Sequence, residues 1–195
     1  MKRHPSATLD SVARILTGYT FRTRIEDDPG GSFGVIQGMY IRPDGSLDPT
    51  HLTRIHLPER SGSGPDKWVQ RGDALLMVRG ERNYAALVDV DLPPTVTQNS
   101  FCTLRVRDPG ILSPDYLATI LNQPLVQSRL MALRSGTSIA NITFGALKEL
   151  VIPLPPLSIQ TEIVALARAI HLEKDLFDRL HATRLRQLDA LATSL

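Results

Sequence analysis

The stretch Ser135–Gln160, SGTSIANITFGALKELVIPLPPLSIQ, decides how this chain is built. A turn at Gly136 leads into a short amphipathic segment. Val151-Ile152-Pro153-Leu154-Pro155-Pro156-Leu157 then reads as an extended strand closed by prolines. Ser158 suits a helix N-cap, and Ile159, Ile163, Leu166 and Ile170 recur at the four-three-four spacing of a helical stripe. A globular body therefore ends in a rigid connector, from which a long helix leaves. Phe177, Leu180, Leu185, Leu188, Leu191 and Leu195 continue the stripe near heptad spacing, broken at Glu173 and slipping one residue after Leu180. A continuous helix of this tail reaches about 55 Å at 1.5 Å per residue. Its greasy seam needs a partner: its own body, another copy or a different protein. Length favours another chain.

Ordered residues in and around this stretch carry a family resemblance. Gly136, Thr137 and Ile142 are followed by Leu147, Leu150, Ile152, Pro153, Leu154, Pro155, Pro156, Leu157, Gln160 and Ile163. The pattern resembles the C-terminal part of a target-recognition unit in the specificity subunits of type I restriction–modification systems. Ile159 stands where that family usually places Glu. Leu9, Val12, Ile15, Gly18 and Phe21 resemble the opening of such a unit. Gly72-Asp73, Leu75 and Arg79-Gly80 resemble its G-D-x-L-x-x-x-R-G segment, and Leu112–Asn122 resembles the helix before its G-T loop.

Size and composition agree with a soluble protein of one mid-sized domain plus an appendage. The single cysteine, Cys102, excludes an internal disulfide framework and a multi-cysteine zinc site. A reducing, cytoplasmic setting is the natural expectation. No run approaches the roughly 18–20 apolar residues of a membrane span, and no apolar stretch follows Lys2-Arg3-His4 as in a signal peptide. The formal net charge is +2. The tail from Leu157 carries five basic and five acidic residues, so the excess sits in the body. Such a balance suits placed arginines on limited DNA, or reliance on a partner for backbone contacts, better than indiscriminate coating.

Taken in order, Thr8–Phe21 predicts a short helix with Leu9, Val12, Ile15 and Leu16 on its apolar face, started near Asp10 or Ser11 and ended by Gly18. Ser32–Ile41 predicts a strand, and Arg42–Gly45 a turn. The stretch from His51 to Pro65 predicts polar, irregular structure. Ala74–Val78, Ala85–Val90 and Thr95–Val106 predict strands, the last with a polar insert at Gln98-Asn99-Ser100. Ser113-Pro114 caps a helix that breaks at Asn122-Gln123-Pro124 and resumes over Leu125–Leu133.

Amide side chains bind adenine bidentately, and arginine binds guanine. Gln98, Asn99, Arg79 and Arg82 are therefore candidate readers, and Arg22, Arg24 and Asn83 complete the candidate DNA-binding set. For Gln98 and Asn99 the reading as turn or bulge formers through their own backbone ranks ahead of base contact. Arg129 and Arg134 suit phosphate or a solvated face. His51 and His56 lack the acids or cysteines a metal site needs at short spacing. Asp73 lacks the second acid and lysine of a metal-dependent nuclease. No glycine-rich methyltransferase loop or N-P-P-Y-type motif is present.

The expected fold is α+β: a mixed α/β target-recognition domain over residues 1–156, then a long coiled-coil-forming helix over residues 157–195. Ile163, Leu166, Ile170, Phe177, Leu180 and Leu188 would form its dimer or partner face. The resemblance implies a non-catalytic specificity subunit reading double-stranded DNA. A modification methyltransferase subunit would bind S-adenosylmethionine, so this chain itself would need no cofactor. Full-length members carry two recognition domains and two long helices paired antiparallel. One of each implies a homodimer, or pairing with another half-subunit, reading a split, two-fold symmetric site. The alternative is an interaction or inhibitory protein that docks on a methyltransferase through its connector and helix without reading DNA.

Overall fold

In a computed structural model, which describes residues 5–42, 45–57, 64–80, 83–136 and 140–193, a mixed α+β body carries one long projecting helix. In chain order the elements are β1 (Ser6–Thr8), α1 (Leu9–Val12), β2 (Ala13–Thr17), β3 (Phe33–Ile36), β4 (Thr53–Ile55), β5 (Ala74–Met77), β6 (Ala85–Leu87), β7 (Thr95–Thr97) and β8 (Phe101–Val106). They continue with α2 (Pro114–Leu121), α3 (Pro124–Ala132), β9 (Arg134–Ser135), β10 (Asn141–Ile142), α4 (Phe144–Lys148), β11 (Val151–Pro153) and α5 (Leu157–Thr193).

The main sheet runs β2-β8-β5-β6, antiparallel throughout, and its alternation sorts side chains onto two faces. Ala74 pairs with Leu104 and Leu76 with Cys102, and these face the helical layer of Leu117, Leu121, Val126 and Leu130. Leu75, Ala86 and Phe101 point the other way, against Ile36, Ile41, Val69 and Val88. A smaller sheet, β4-β3-β7, lies beyond them. In it β3 pairs antiparallel with β4 and parallel with β7. Burial pushes the Cys102 thiol up to about 11, as befits a small apolar filler rather than a nucleophile.

Several expectations change on this frame. Only Leu9–Val12 is helical at the start of the chain, and Ala13–Thr17 is a strand. Ala13 and Ile15 also satisfy a period of two, and pairing along β8 from Ala13↔Val106 to Thr17↔Cys102 overrides the helical pattern. Gly18 sits where any side chain would collide, because an added Cβ would lie 2.1 Å from the Gln98 carbonyl oxygen. The strand expected over Ser32–Ile41 stops at Ile36 and gives way to a 3₁₀ turn, Gly38–Tyr40. The stretch expected to be irregular after His51 contains β4. The Thr95–Val106 strand is two strands, with residues 98–100 turning between sheets. Ser113 is the α2 N-cap as read, accepting from the Tyr116 N–H.

The connector ties the ends of the body together. β11 pairs antiparallel with β1, and the Leu154 N–H donates to the Pro5 carbonyl. Tyr116 on α2 donates its hydroxyl to the Pro153 carbonyl at 3.1 Å, and burial raises its pKa to about 12. The helix starts at Leu157, so Ser158 lies inside the first turn and the flanking position belongs to Pro156, whose carbonyl accepts from Ile159 and Gln160. Proline restricts the chain just before a helix and suits that boundary.

Gln160 is fully buried and roots the helix. Its Nε2 donates to the Ile111 and Pro155 carbonyls at 2.9 and 2.8 Å, while its Oε1 accepts from the Ser113 N–H at 2.8 Å. Val164 is the last buried residue of the helix and Arg168 still bonds Asp115 of α2, while Leu166, Ile170, Leu172, Leu176, Phe177, Leu180, Leu185, Leu188 and Leu191 are exposed along it. Among the described residues, no helix is long and apolar enough to cross a membrane.

Candidate nucleic-acid interface

The site begins with the only parallel pairing between strands of the described residues. Strands β3 and β7 run side by side in the register Ile36↔Thr97, and the Gln98 N–H bonds the Ile36 carbonyl at 3.1 Å. Because they point the same way, both strands discharge their following residues at one end. Gln37-Gly38-Met39 leaves β3 beside Gln98-Asn99, which leaves β7. The loop after β2 crosses that end, since the Tyr19 N–H bonds the Thr97 carbonyl.

Two adjoining grooves result. One, of about 470 Å³, is lined by Phe21, Thr23, Arg24, Ile25, Asp27, Gln37, Met39, Thr53, Gln98 and Asn99. The other, of about 970 Å³, shares Phe21, Thr23, Arg24 and Ile25 as a wall and adds Arg22, His56 and Lys67. Among the described residues, neither Arg22 nor Arg24 has an ion-pair partner. Of the nearby acids, Asp27 accepts from the Arg54 N–H, Asp28 accepts from the Gly30 N–H and faces His56 at 3.4 Å, and Glu26 lines the larger groove. The groove wall thus offers guanidinium groups, with the Asp27 and Asp28 carboxylates tied to the backbone.

Under the grooves the scaffold is tied down. Gln37 donates to the Thr53 hydroxyl at 2.9 Å, Tyr40 and Thr53 share a hydrogen bond at 2.8 Å, and the Thr53 N–H donates to the Tyr40 hydroxyl at 2.9 Å. Preorganised support of this kind lets polar groups hold a ligand without first losing freedom.

The candidate readers therefore divide. Arg24, Gln98 and Asn99 meet in one groove, and Arg22 stands on the adjoining one. Asn99 also donates weakly to the Thr20 hydroxyl at 3.4 Å, so its turn-forming role is present as well. Arg79 is exposed at the same sheet end, one residue past Val78, whose N–H bonds Ser100, but it lines neither groove. Asn83 is placed differently: it is 3% exposed and donates to the Met77 carbonyl, while its own carbonyl accepts from Gln127. That side chain pins a turn and has no face toward a groove. Arg82 lies outside the described residues. Gln37, Met39 and Thr53 were not singled out from sequence. A polar residue on each side of a 3₁₀ turn has no local signature, and only the parallel pairing brings them to Gln98.

Asp73 belongs to the framework. Its carboxylate takes both Nε and Nη2 of Arg105 at 2.8 Å and the Gln70 N–H at 2.8 Å. The same guanidinium donates to the Trp68 carbonyl at 2.8 Å. Asp10, Asp115 and the remaining acids form no cluster with histidine or cysteine able to hold a metal among the described residues.

Comparison with known proteins gives one family and one fold. The model of the type I restriction modification DNA specificity domain matches residues 6–176. The S subunit of a type I restriction-modification system from M. genitalium superposes with a TM-score of 0.56 at 23% identity, over 91% of this chain and 41% of that one. A chain from the type I R-M system, solved for complex assembly and conformational transition, gives 0.67 at 22% identity, over 98% and 44%. The HsdS subunit from Thermoanaerobacter tengcongensis gives 0.59 at 20%, over 92% and 40%. At these identities the likeness shows the fold, and the chain spans about two-fifths of the length of these structures. No curated protein matches it.

Proposed function

We propose, from the premise that this chain belongs to the type I restriction–modification DNA specificity family, that it reads one half of a split DNA site and pairs through its long helix to read the other. Members of this family are generally non-catalytic and work with DNA and a methyltransferase, and we assign this chain the same division of labour. It supplies sequence recognition, and a partner methyltransferase subunit binds S-adenosylmethionine and carries out the transfer.

The observation that carries this reading is the polar groove at the ends of β3 and β7. There Arg24 and the Gln98 amide project from a braced scaffold. Those side chains have the donors and acceptors that base edges require, and the adjoining Arg22 suits phosphate.

The second support is α5. Its apolar residues are exposed along the length that leaves the body, which calls for burial against another helix. The charges favour an antiparallel second copy. Glu173, Asp175 and Asp178 outweigh Lys174 in residues 173–178, whereas residues 179–186 carry Arg179, Arg184 and Arg186. An antiparallel pair sets the acidic block of one helix against the basic block of the other, and a parallel pair sets like against like. The pairs within one helix, Lys174–Asp178 and Arg179–Asp175, are exposed and contribute little. Two identical readers on a symmetric dimer imply a two-fold symmetric, split target.

Two substitutions test the groove. In Gln98→Ala the preference at one base pair relaxes by about 1–3 kcal/mol, read as relative affinity over a set of single-base variants of the preferred duplex. Arg22→Ala instead weakens all sequences alike and lowers the slope of log K against log salt by about one. If neither variant alters affinity or selectivity, the grooves are not the DNA face.

A further inference from the structure

We propose that Met39 is a specificity-determining residue that contacts the C5-methyl group of a thymine, beside an adenine held by Gln98; this deepens the DNA-reading assignment and rests on it. Met39 is 76% exposed, the most exposed large apolar side chain among the described residues, yet it stands in a polar groove rather than at a loop tip. Its backbone is fixed. It is the middle residue of the 3₁₀ turn Gly38–Tyr40, with Gln37 and Tyr40 on either side both bonded to Thr53. An apolar group held this firmly in water gains nothing from folding, since burial is what stabilises such a side chain. Its surroundings define what would cover it.

Gln98 lines the same groove, because the parallel register sets the residue after β7 beside Gln37, the residue after β3, and the 3₁₀ turn that follows carries Met39. Among the described residues the Gln98 side-chain amide meets no hydrogen-bond partner, so both its N–H and its carbonyl are open toward the groove. An amide with both groups open matches N6 and N7 of adenine, a bidentate pair presented in the major groove. In that same groove the thymine methyl is the apolar mark on a base edge, and a methionine side chain is long and adaptable enough to cover it. Amide and thioether on one groove thus read the two marks that distinguish A·T pairs. A methionine wedged between base steps from the minor groove would leave the Gln98 amide without its adenine partners, so the amide decides for the major groove.

The test replaces thymine with deoxyuridine, which removes only the methyl group. The chain is titrated with its preferred duplex and with duplexes carrying uracil at each thymine in turn. For the unaltered chain, one position in each half-site loses about fourfold in affinity, the value of one buried methyl. In Met39→Ala the thymine duplex binds more weakly and the uracil penalty at that position disappears, while all other positions keep their preferences. A uracil penalty that persists in Met39→Ala, or no penalty at any thymine, overturns the proposal and leaves DNA reading standing. Absence of any preferred duplex sinks both.

Discussion

Asp73→Ala lowers the unfolding free energy by about 3–5 kcal/mol, the cost of breaking one partner out of a buried ion pair. Asp73 is 1% exposed, and its carboxylate receives two parallel bonds from Arg105 and one from the Gln70 backbone. Removing it leaves the Arg105 guanidinium, with its side chain 22% exposed, without its counter-charge. The structural reach is wide. Arg105 on β8 also holds the carbonyls of Asp66 and Trp68, so one residue fastens the 66–73 segment across β5. Trp68 packs edge-on against Phe33 at 5.8 Å, beneath the β3 strand that carries the groove. Urea denaturation at fixed protein concentration measures the loss. The double variant Asp73→Leu, Arg105→Met discriminates the cause. Replacing both ions together recovers most of the stability if the unpaired charge is the cost. No recovery shows instead that the cost lies in the bonds to Gln70 and Trp68.

Gln160→Leu has the next largest effect, about 3 kcal/mol or more, because it keeps shape and removes three hydrogen bonds at once. The buried Pro155 carbonyl and the half-buried Ser113 N–H lose their partner, whereas Ile111 is exposed and its carbonyl can turn to water. Each such orphan costs about 1–3 kcal/mol. Only the first turns of α5 touch the body, where Val164 closes the core, so the loss concentrates at the root of the helix. Amide hydrogen exchange over residues 157–164 rises well above that of β5 and β8. A matched change at exposed Gln187 stays within about 0.5 kcal/mol. Equal effects at the two positions would show that the root of the helix is not specifically held.

These two residues also show where the sequence speaks plainly. The proline connector, Gln160 and the Gly72-Asp73 step are short-range and ordered, and the structure gives each a bond that requires its identity: three partners for the Gln160 amide, a bidentate arginine for Asp73. The long helix announced itself by periodicity, as did the split helices around Asn122-Gln123-Pro124. Residues 13–17 did not, since Ala13 and Ile15 fit both a helical and an alternating pattern. Only their pairing with β8 settles the choice.

The groove was legible in part. Arg24, Gln98 and Asn99 stood out by side-chain chemistry, but their meeting depends on a parallel pairing between strands some sixty residues apart. No local pattern encodes that. For the same reason Gln37 and Met39 stayed silent, and Asn83 looked like a reader until Met77 and Gln127 claimed it. Residue type suggests what a side chain can bind. Topology decides whether it faces anything.

The claim that this chain is a dimeric reader of a split site is tested most directly by selecting random duplex DNA with the purified chain, residues 1–195, at near-physiological salt, then sequencing the bound fraction. The account predicts a palindrome in two halves separated by a fixed spacer, each half containing an A·T pair that depends on Gln98. Failure to enrich any motif, both with the protein alone and after addition of a candidate methyltransferase subunit, would contradict it.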